Sequence, residues 1–248
     1  MRVAQALAML AFGMSGLLLA GEGAQQRVQQ SGTQRVDFLA GGVLHVTRSP
    51  GELTIVGWDR PDVEIVTTKS TVFPYDSQDR QKAAHELDQV QVKVERHDNE
   101  VVINTSLPRR GSAPPASRLK GANAFYLDCH ISVPRHARLV VEHGDGEVHI
   151  ENLTGDISVS THKGEITLRL PPESAYAIDA KTNIGDVISD FPGTAHRRPW
   201  LFAHRFVEEP SPAAHKLYLR VGFGDIIIQK ISQPPTWSTP ASPRPQSQ

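Results

Sequence analysis

Residues 141–170 read VEHGDGEVHIENLTGDISVSTHKGEITLRL, with Gly146, Gly155 and Gly164 recurring every nine residues. Each glycine is followed by an acid (Glu147, Asp156, Glu165) and then by an apolar, polar, apolar triplet such as Val148-His149-Ile150. Period-two alternation marks strands with one buried and one wet face, and the glycine-acid pair marks a tight turn where φ turns positive. Self-similar units of this kind are a repeat architecture. Nine extended residues span only about 30 Å, too little to wrap a closed coil around packed side chains. Two repeats therefore make one coil, and successive strands lie in opposite sheets about 10 Å apart. The expected fold is all-β: a two-sheeted β-solenoid or elongated β-sandwich of short repeats. Glu147 and Glu165 are then neighbours in one sheet, with Asp156 on the far side.

The same grammar appears earlier, in Gly42-Val43-Leu44-His45-Val46, Gly51-Glu52-Leu53-Thr54-Ile55 and Val63-Glu64-Ile65-Val66. Val90–Val94 and Val101–Ile103 flank His97-Asp98-Asn99 as a hairpin. Tyr75–Leu87 reads as the one helix, with Asp76 or Ser77 as its cap. Past the central repeats, Tyr176–Ala180 and Gly185–Ile188 continue the series, and Leu217–Val221 with Gly224–Ile228 close the core.

The ends differ in composition. Arg2 precedes an apolar run to Ala20 that ends in small residues, which reads as a signal peptide over 1–20. A transmembrane anchor is the alternative, but the run is marginal in length and broken by Gln5, Gly13, Ser15 and Gly16, so none is expected in the mature form. Glu22 stands where lipidation would need cysteine. A polar leader spans 21–34, a single domain 35–232, and a disordered Pro/Ser-rich tail 233–248. Two insertions, 107–123 and 191–215, interrupt the domain. The first carries Arg109, Arg110, Arg118 and Lys120, and the second holds Trp200 to Phe206, a candidate cap for the exposed sheet edge at the solenoid's end.

The chain holds 26 Lys and Arg against 27 Asp and Glu, for a formal charge of −1. Loss of Arg2 with the signal peptide makes it −2, so nothing steers nucleic acid or an anionic membrane. Cys129, the single cysteine, has no internal disulfide partner and shares a face with Phe125, Leu127, Ile131 and Val133, as a buried small hydrophobe.

The chemistry-bearing residues do not assemble into a motif. No nucleophile elbow, phosphate loop, HExxH or paired Cys motif is present. His143, His149 and His162 fall in three different columns of the repeat. His143 stacks with Asn152 and Thr161, and His149 stands beside Ser158 and Thr167, so they read as polar and outward rather than as converging metal ligands. His196, His204 and His215 fare no better. Gly144-Asp145-Gly146-Glu147 is the only doubled glycine-acid unit, half of what a calcium site with six to eight oxygens needs. Asn152 reads as a turn residue. No catalytic, metal or cofactor-binding residue is assigned, and no cofactor is expected.

The export signal, the Val56-Gly57-Trp58-Asp59 turn before Val63-Glu64-Ile65, the Ile131-Ser132-Val133-Pro134 strand end and the ladder Gly146-Glu147-Val148, Asn152-Leu153-Thr154-Gly155-Asp156-Ile157, Gly164-Glu165-Ile166 resemble the bacterial putative-adhesin family. The resemblance runs from Val36 to Ile231. It implies a β-solenoid domain of unknown function, and it brings no catalytic residues to this chain. The expected role is an exported, non-enzymatic envelope or surface protein, adhesin-like, that binds an envelope or extracellular ligand or associates with itself through sheet edges. The alternatives are a periplasmic accessory or signalling scaffold and a polysaccharide-active β-solenoid. Low aromatic content, 6%, argues against the last, because sugar grooves need exposed aromatic platforms.

Overall fold

The structure, a computed structural model, describes residues 27–72, 74–75, 79–106, 125–198, 203–208 and 214–231. Its elements in chain order are β1 (Gln29–Asp37), β2 (Val43–Ser49), β3 (Glu52–Trp58), β4 (Asp62–Thr71), α1 (Arg80–Asp88), β5 (Gln91–His97), β6 (Glu100–Ser106) and β7 (Phe125–Pro134). They continue as β8 (Arg138–Asp145), β9 (Val148–Glu151), β10 (Ile157–Lys163), β11 (Ile166–Leu170), β12 (Tyr176–Ile184), β13 (Val187–Ser189), β14 (Thr194–Arg198), β15 (Ala203–Val207), β16 (His215–Phe223) and β17 (Ile226–Lys230). The expected β-solenoid is present as two mixed sheets, ordered β1-β4-β7-β3-β9-β11-β17-β13 and β14-β15-β12-β16-β10-β8-β2-β6-β5.

The nine-residue spacing is the distance from one sheet to the other. Ile157 of β10 pairs with Leu139 of β8, and Ile166 of β11 pairs with Val148 of β9, each eighteen residues back. Two repeats thus make one rung, and five rungs stack in parallel: β2/β3, β8/β9, β10/β11, β16/β17 and β12/β13. The inward columns are sealed: Leu53, Val148, Ile166 and Ile226 are all 0% exposed, and Ile157 is 1% exposed. Each such aliphatic side chain contributes roughly 1.5–3 kcal/mol of burial.

The rungs do not follow chain order. The last strand pair, β16/β17, lies between β10/β11 and β12/β13, with Leu217 bridging Ile157 and Ile178. At the far end β15 pairs antiparallel with β12, and β14 with β15. The second insertion therefore extends the sheet past its expected edge. Trp200-Leu201-Phe202 lies outside the described residues, as do the signal peptide, the first insertion and the tail.

Two boundaries are corrected. The polar leader does not end at residue 34 as a segment apart, because Gln29–Asp37 pairs residue for residue with β4. This strand buries almost nothing, so backbone hydrogen bonds hold it and no alternation announces it. The helix begins at Arg80 rather than near Tyr75, with the Ala83 N–H donating to the Asp79 carbonyl at 3.0 Å. Asp76 and Ser77 lie outside the described residues. The 91–106 hairpin forms as expected, with Asp98 at φ 49° in its turn.

One corner of the stack is a ladder of glycines. Gly51, Gly146, Gly164, Gly224 and Gly185 follow one another in rung order, all with positive φ. A β-carbon on Gly146 would lie 1.9 Å from the Gly51 oxygen, one on Gly164 1.8 Å from the Gly146 oxygen, and one on Gly224 1.9 Å from the Gly164 oxygen. The α-carbon hydrogens face those oxygens instead, in weak Cα–H···O contacts. Hydrogen bonds carry the pairing around the corner: Gly146 N–H to Lys163 O and Val148 N–H to Glu165 O, both 2.9 Å.

A buried polar column serves this corner, and it overturns one expectation. His143 and Thr161 point inward, 6% and 4% exposed, because period two carries them on from Leu139-Val141 and Ile157-Val159. His143 Nε2 donates to Gly51 O at 3.1 Å, Thr161 to Gly144 O at 2.9 Å and Thr182 to Gly224 O at 2.7 Å. Asn152 does not share this column. It turns the chain at φ 61° and donates from Nδ2 to Gly57 O at 3.0 Å. Arg135 ties that opposite corner together by bonding Asn152 and Asp59.

Two outcomes follow. Gly164→Ala should cost roughly 3 kcal/mol in urea unfolding, from backbone clash added to a strained φ. Gly41→Ala, at φ 73° with nothing within 4 Å, should cost only about 1 kcal/mol; equal losses would make φ alone responsible. Burial holds the pKa of His143 below its ordinary 6.5, against the opposing pull of the Gly51 carbonyl and Asp145. The unfolded chain therefore takes up the proton first, and stability falls as pH drops below about 6.5. His143→Gln, which keeps a donor without titrating, should flatten the decline of the urea midpoint between pH 7.5 and 5.5.

Candidate functional site

Beside the glycine corner, β4 and β7 run on past the point where β3 turns away. Thr71 pairs with Phe125, whereas β3 joins β7 only at Glu52 and Asp128. The projecting ends, with the row of turns, enclose an open groove of about 610 Å³. One wall carries Val72, Phe125 and Tyr126, the floor is the backbone of Gly51, Gly146, Gly164 and Gly224, and the rim carries Asp145, Glu147, Lys163, Glu165 and Asp225. Tyr126 is 52% exposed.

The acids occupy this rim because the glycine-acid pair of every second repeat falls on this corner, whereas Gly155-Asp156 lies at the opposite one. Neighbouring rungs stand about 4.8 Å apart, so Glu147, Glu165 and Asp225 form a file. Glu165 accepts from the Thr167 hydroxyl at 2.7 Å, and Glu147 meets His149 Nε2 at 3.2 Å. The Asp225 carboxylate accepts the Asp186 N–H at 2.7 Å. Among the described residues, none of these acids is ion-paired with a lysine or arginine.

The histidines singled out in the sequence are not brought together. His143 is inside, His149 is on the outer face of β9, and His162 packs edge-on against Phe223 with ring centroids 5.9 Å apart. His204 meets Asp186 at 2.6 Å, His215 lies 3.9 Å from Asp156, and His196 is exposed on β14. No group of three or more His, Cys, Asp or Glu among the described residues is placed to hold a metal ion. Cys129 is 4% exposed, and burial pushes its thiol up to about 12, so it stays protonated and inert. The doubled unit contributes structure instead: Gly144 accepts from Thr161, while Asp145 and Glu147 face the groove.

Two features had no sequence signal of their own. One is the Phe125-Tyr126 wall, which exists only because β7 outruns β3. The other lies on the outer face of the opposite sheet, where Asp179 accepts from Arg205 at 3.1 Å and from Arg220 at 2.8 Å. Partial burial works against the Asp179 carboxylate, but the two guanidinium groups outweigh it and lower its pKa. Arg220 also stacks 3.7 Å from the Tyr218 ring centroid. The Asp179 charge is thus paired twice over, and the cluster keeps one net positive charge. No described helix is long and apolar enough to cross a membrane.

The Toastrack DUF4097 family model matches residues 28–229. A putative cell adhesion protein from Clostridium sporogenes is similar in structure, with a TM-score of 0.46 at 14% identity, covering 81% of this chain and 100% of its own. A putative adhesin from Bacteroides fragilis gives a TM-score of 0.31 at 12% identity, covering 82% of this chain and 97% of its own. No curated protein matches the chain. With nearly the whole double-sheeted stack inside the matched span, the chain belongs to the Toastrack family, whose domain has no established function.

Proposed function

We propose that this chain is exported and acts at the cell envelope or surface as a non-enzymatic, adhesin-like binding module. The observation that carries this reading is the open groove over the glycine corner. It joins uncompensated carboxylates, an exposed tyrosine and bare backbone on a frame whose inward columns are sealed. Such a surface suits recognition, because its polar groups are spread along a file instead of converging on one reacting atom. Stacked parallel rungs keep the file rigid, so little ordering is left to be done on binding. The apolar run after Arg2, ending in small residues near Ala20, supports export.

Expression with the native leader tests the first half. The mature chain should be recovered from periplasm or medium with its N-terminus between Gly21 and Gln25, and a protein that stays cytosolic and begins at Met1 would refute export. For the second half, the immobilised mature chain should retain envelope material in a saturable way, without turning over a panel of polysaccharides.

A further inference from the structure

We propose that the glycine-floored groove binds an extended, lysine- or arginine-bearing peptide segment of a partner protein. This deepens the binding-module reading and rests on it. The first support is the strand edge. Residues 125–127 of β7 have a strand partner only on the β4 side among the described residues. On the other side, the vacant β-carbon position of Gly51 lies 2.1 Å from the Leu127 oxygen, so that oxygen points away from β4. Main-chain groups two residues apart on a strand point the same way, so those of Phe125 face the groove. An extended peptide laid there adds a short strand by main-chain hydrogen bonds.

The second support is the floor. Gly51, Gly146, Gly164 and Gly224 line the groove with main chain alone, so a ligand backbone can come close. The third is charge complementarity. Asp145, Glu147, Glu165 and Asp225 share the rim with one basic residue, Lys163, and among the described residues no lysine or arginine is ion-paired with them. A cationic side chain finds a carboxylate on three successive rungs, and the half-exposed Tyr126 ring offers a face for a guanidinium or ammonium group. A neutral or acidic peptide would leave these carboxylates desolvated without partners.

The test uses a fluorescein-labelled decapeptide of alternating lysine and threonine, titrated with the full mature chain and followed by fluorescence anisotropy. Glu147→Gln with Glu165→Gln should weaken binding at least tenfold. Glu95→Gln with Glu142→Gln, an equal change of charge on the opposite sheet, should alter it less than twofold. Equal losses from both pairs would reduce the effect to bulk attraction and overturn the proposal, as would no binding by the wild-type chain. A peptide N-methylated at alternate residues should bind at least tenfold more weakly, and unchanged affinity would remove strand addition. The chain's own Arg109, Arg110, Arg118 and Lys120, all changed to Ser, should leave affinity unaltered; tenfold tighter binding would assign the groove to that segment instead of a partner. Thermal melting of each variant separates lost binding from lost folding. Retention of envelope material by the Glu147/Glu165 variant at wild-type level would sink this groove as the site while leaving the binding module standing.

Discussion

The approach of one glycine to the next is the constraint on which the rest of this molecule depends. Five turns can stack at strand spacing only if nothing projects from their α-carbons toward the neighbouring carbonyl, and only glycine meets that condition. The requirement is steric first and conformational second, since each turn combines a positive φ with a backbone oxygen in the place of a side chain. Once the corner closes in this way, the acids after Gly146, Gly164 and Gly224 are fixed at the rim, and the apolar residues that follow are fixed in the core. Fold and groove are therefore two results of one contact.

Inside the corner the chain meets the same turns with hydrogen bonds. His143, Thr161 and Thr182 sit where aliphatic alternation predicts another Val or Ile, and each satisfies a glycine-segment carbonyl that the turn would otherwise leave without a partner. A buried polar group is tolerated when it is hydrogen-bonded. The threonines meet this with one hydroxyl. His143 meets it with one nitrogen and leaves Nδ1 without a partner, which makes it the least secure member of the column.

Much of the fold was legible in the residues because the repeat is local. Gly146, Gly155 and Gly164 disclose turn, strand direction and sheet alternation within thirty residues, and the eighteen-residue coil follows from reach alone. The strand at Gln29–Asp37 was not legible, because a strand held by backbone bonds at an edge needs no apolar signature. The inward turn of His143 runs against the outward placing of a polar residue, because strict alternation from Leu139 and Val141 puts it inside. The insertion of β16/β17 between earlier rungs had no local sign, since Leu217 and Ile226 fit any rung equally well. For the groove, its acids were visible as a series, but their aromatic wall arises from the different lengths of β3 and β7, a relation between strands more than seventy residues apart.

That interleaving has a consequence for how the molecule is made. The rung nearest the C-terminus sits in the interior of the pile, so residues leaving a ribosome or a translocation channel cannot finish the structure progressively from one end. Ile157 and Ile178 must wait for Leu217 before their strands share a neighbour. A polypeptide of this design stays incomplete until the Ile226–Lys230 strand has emerged.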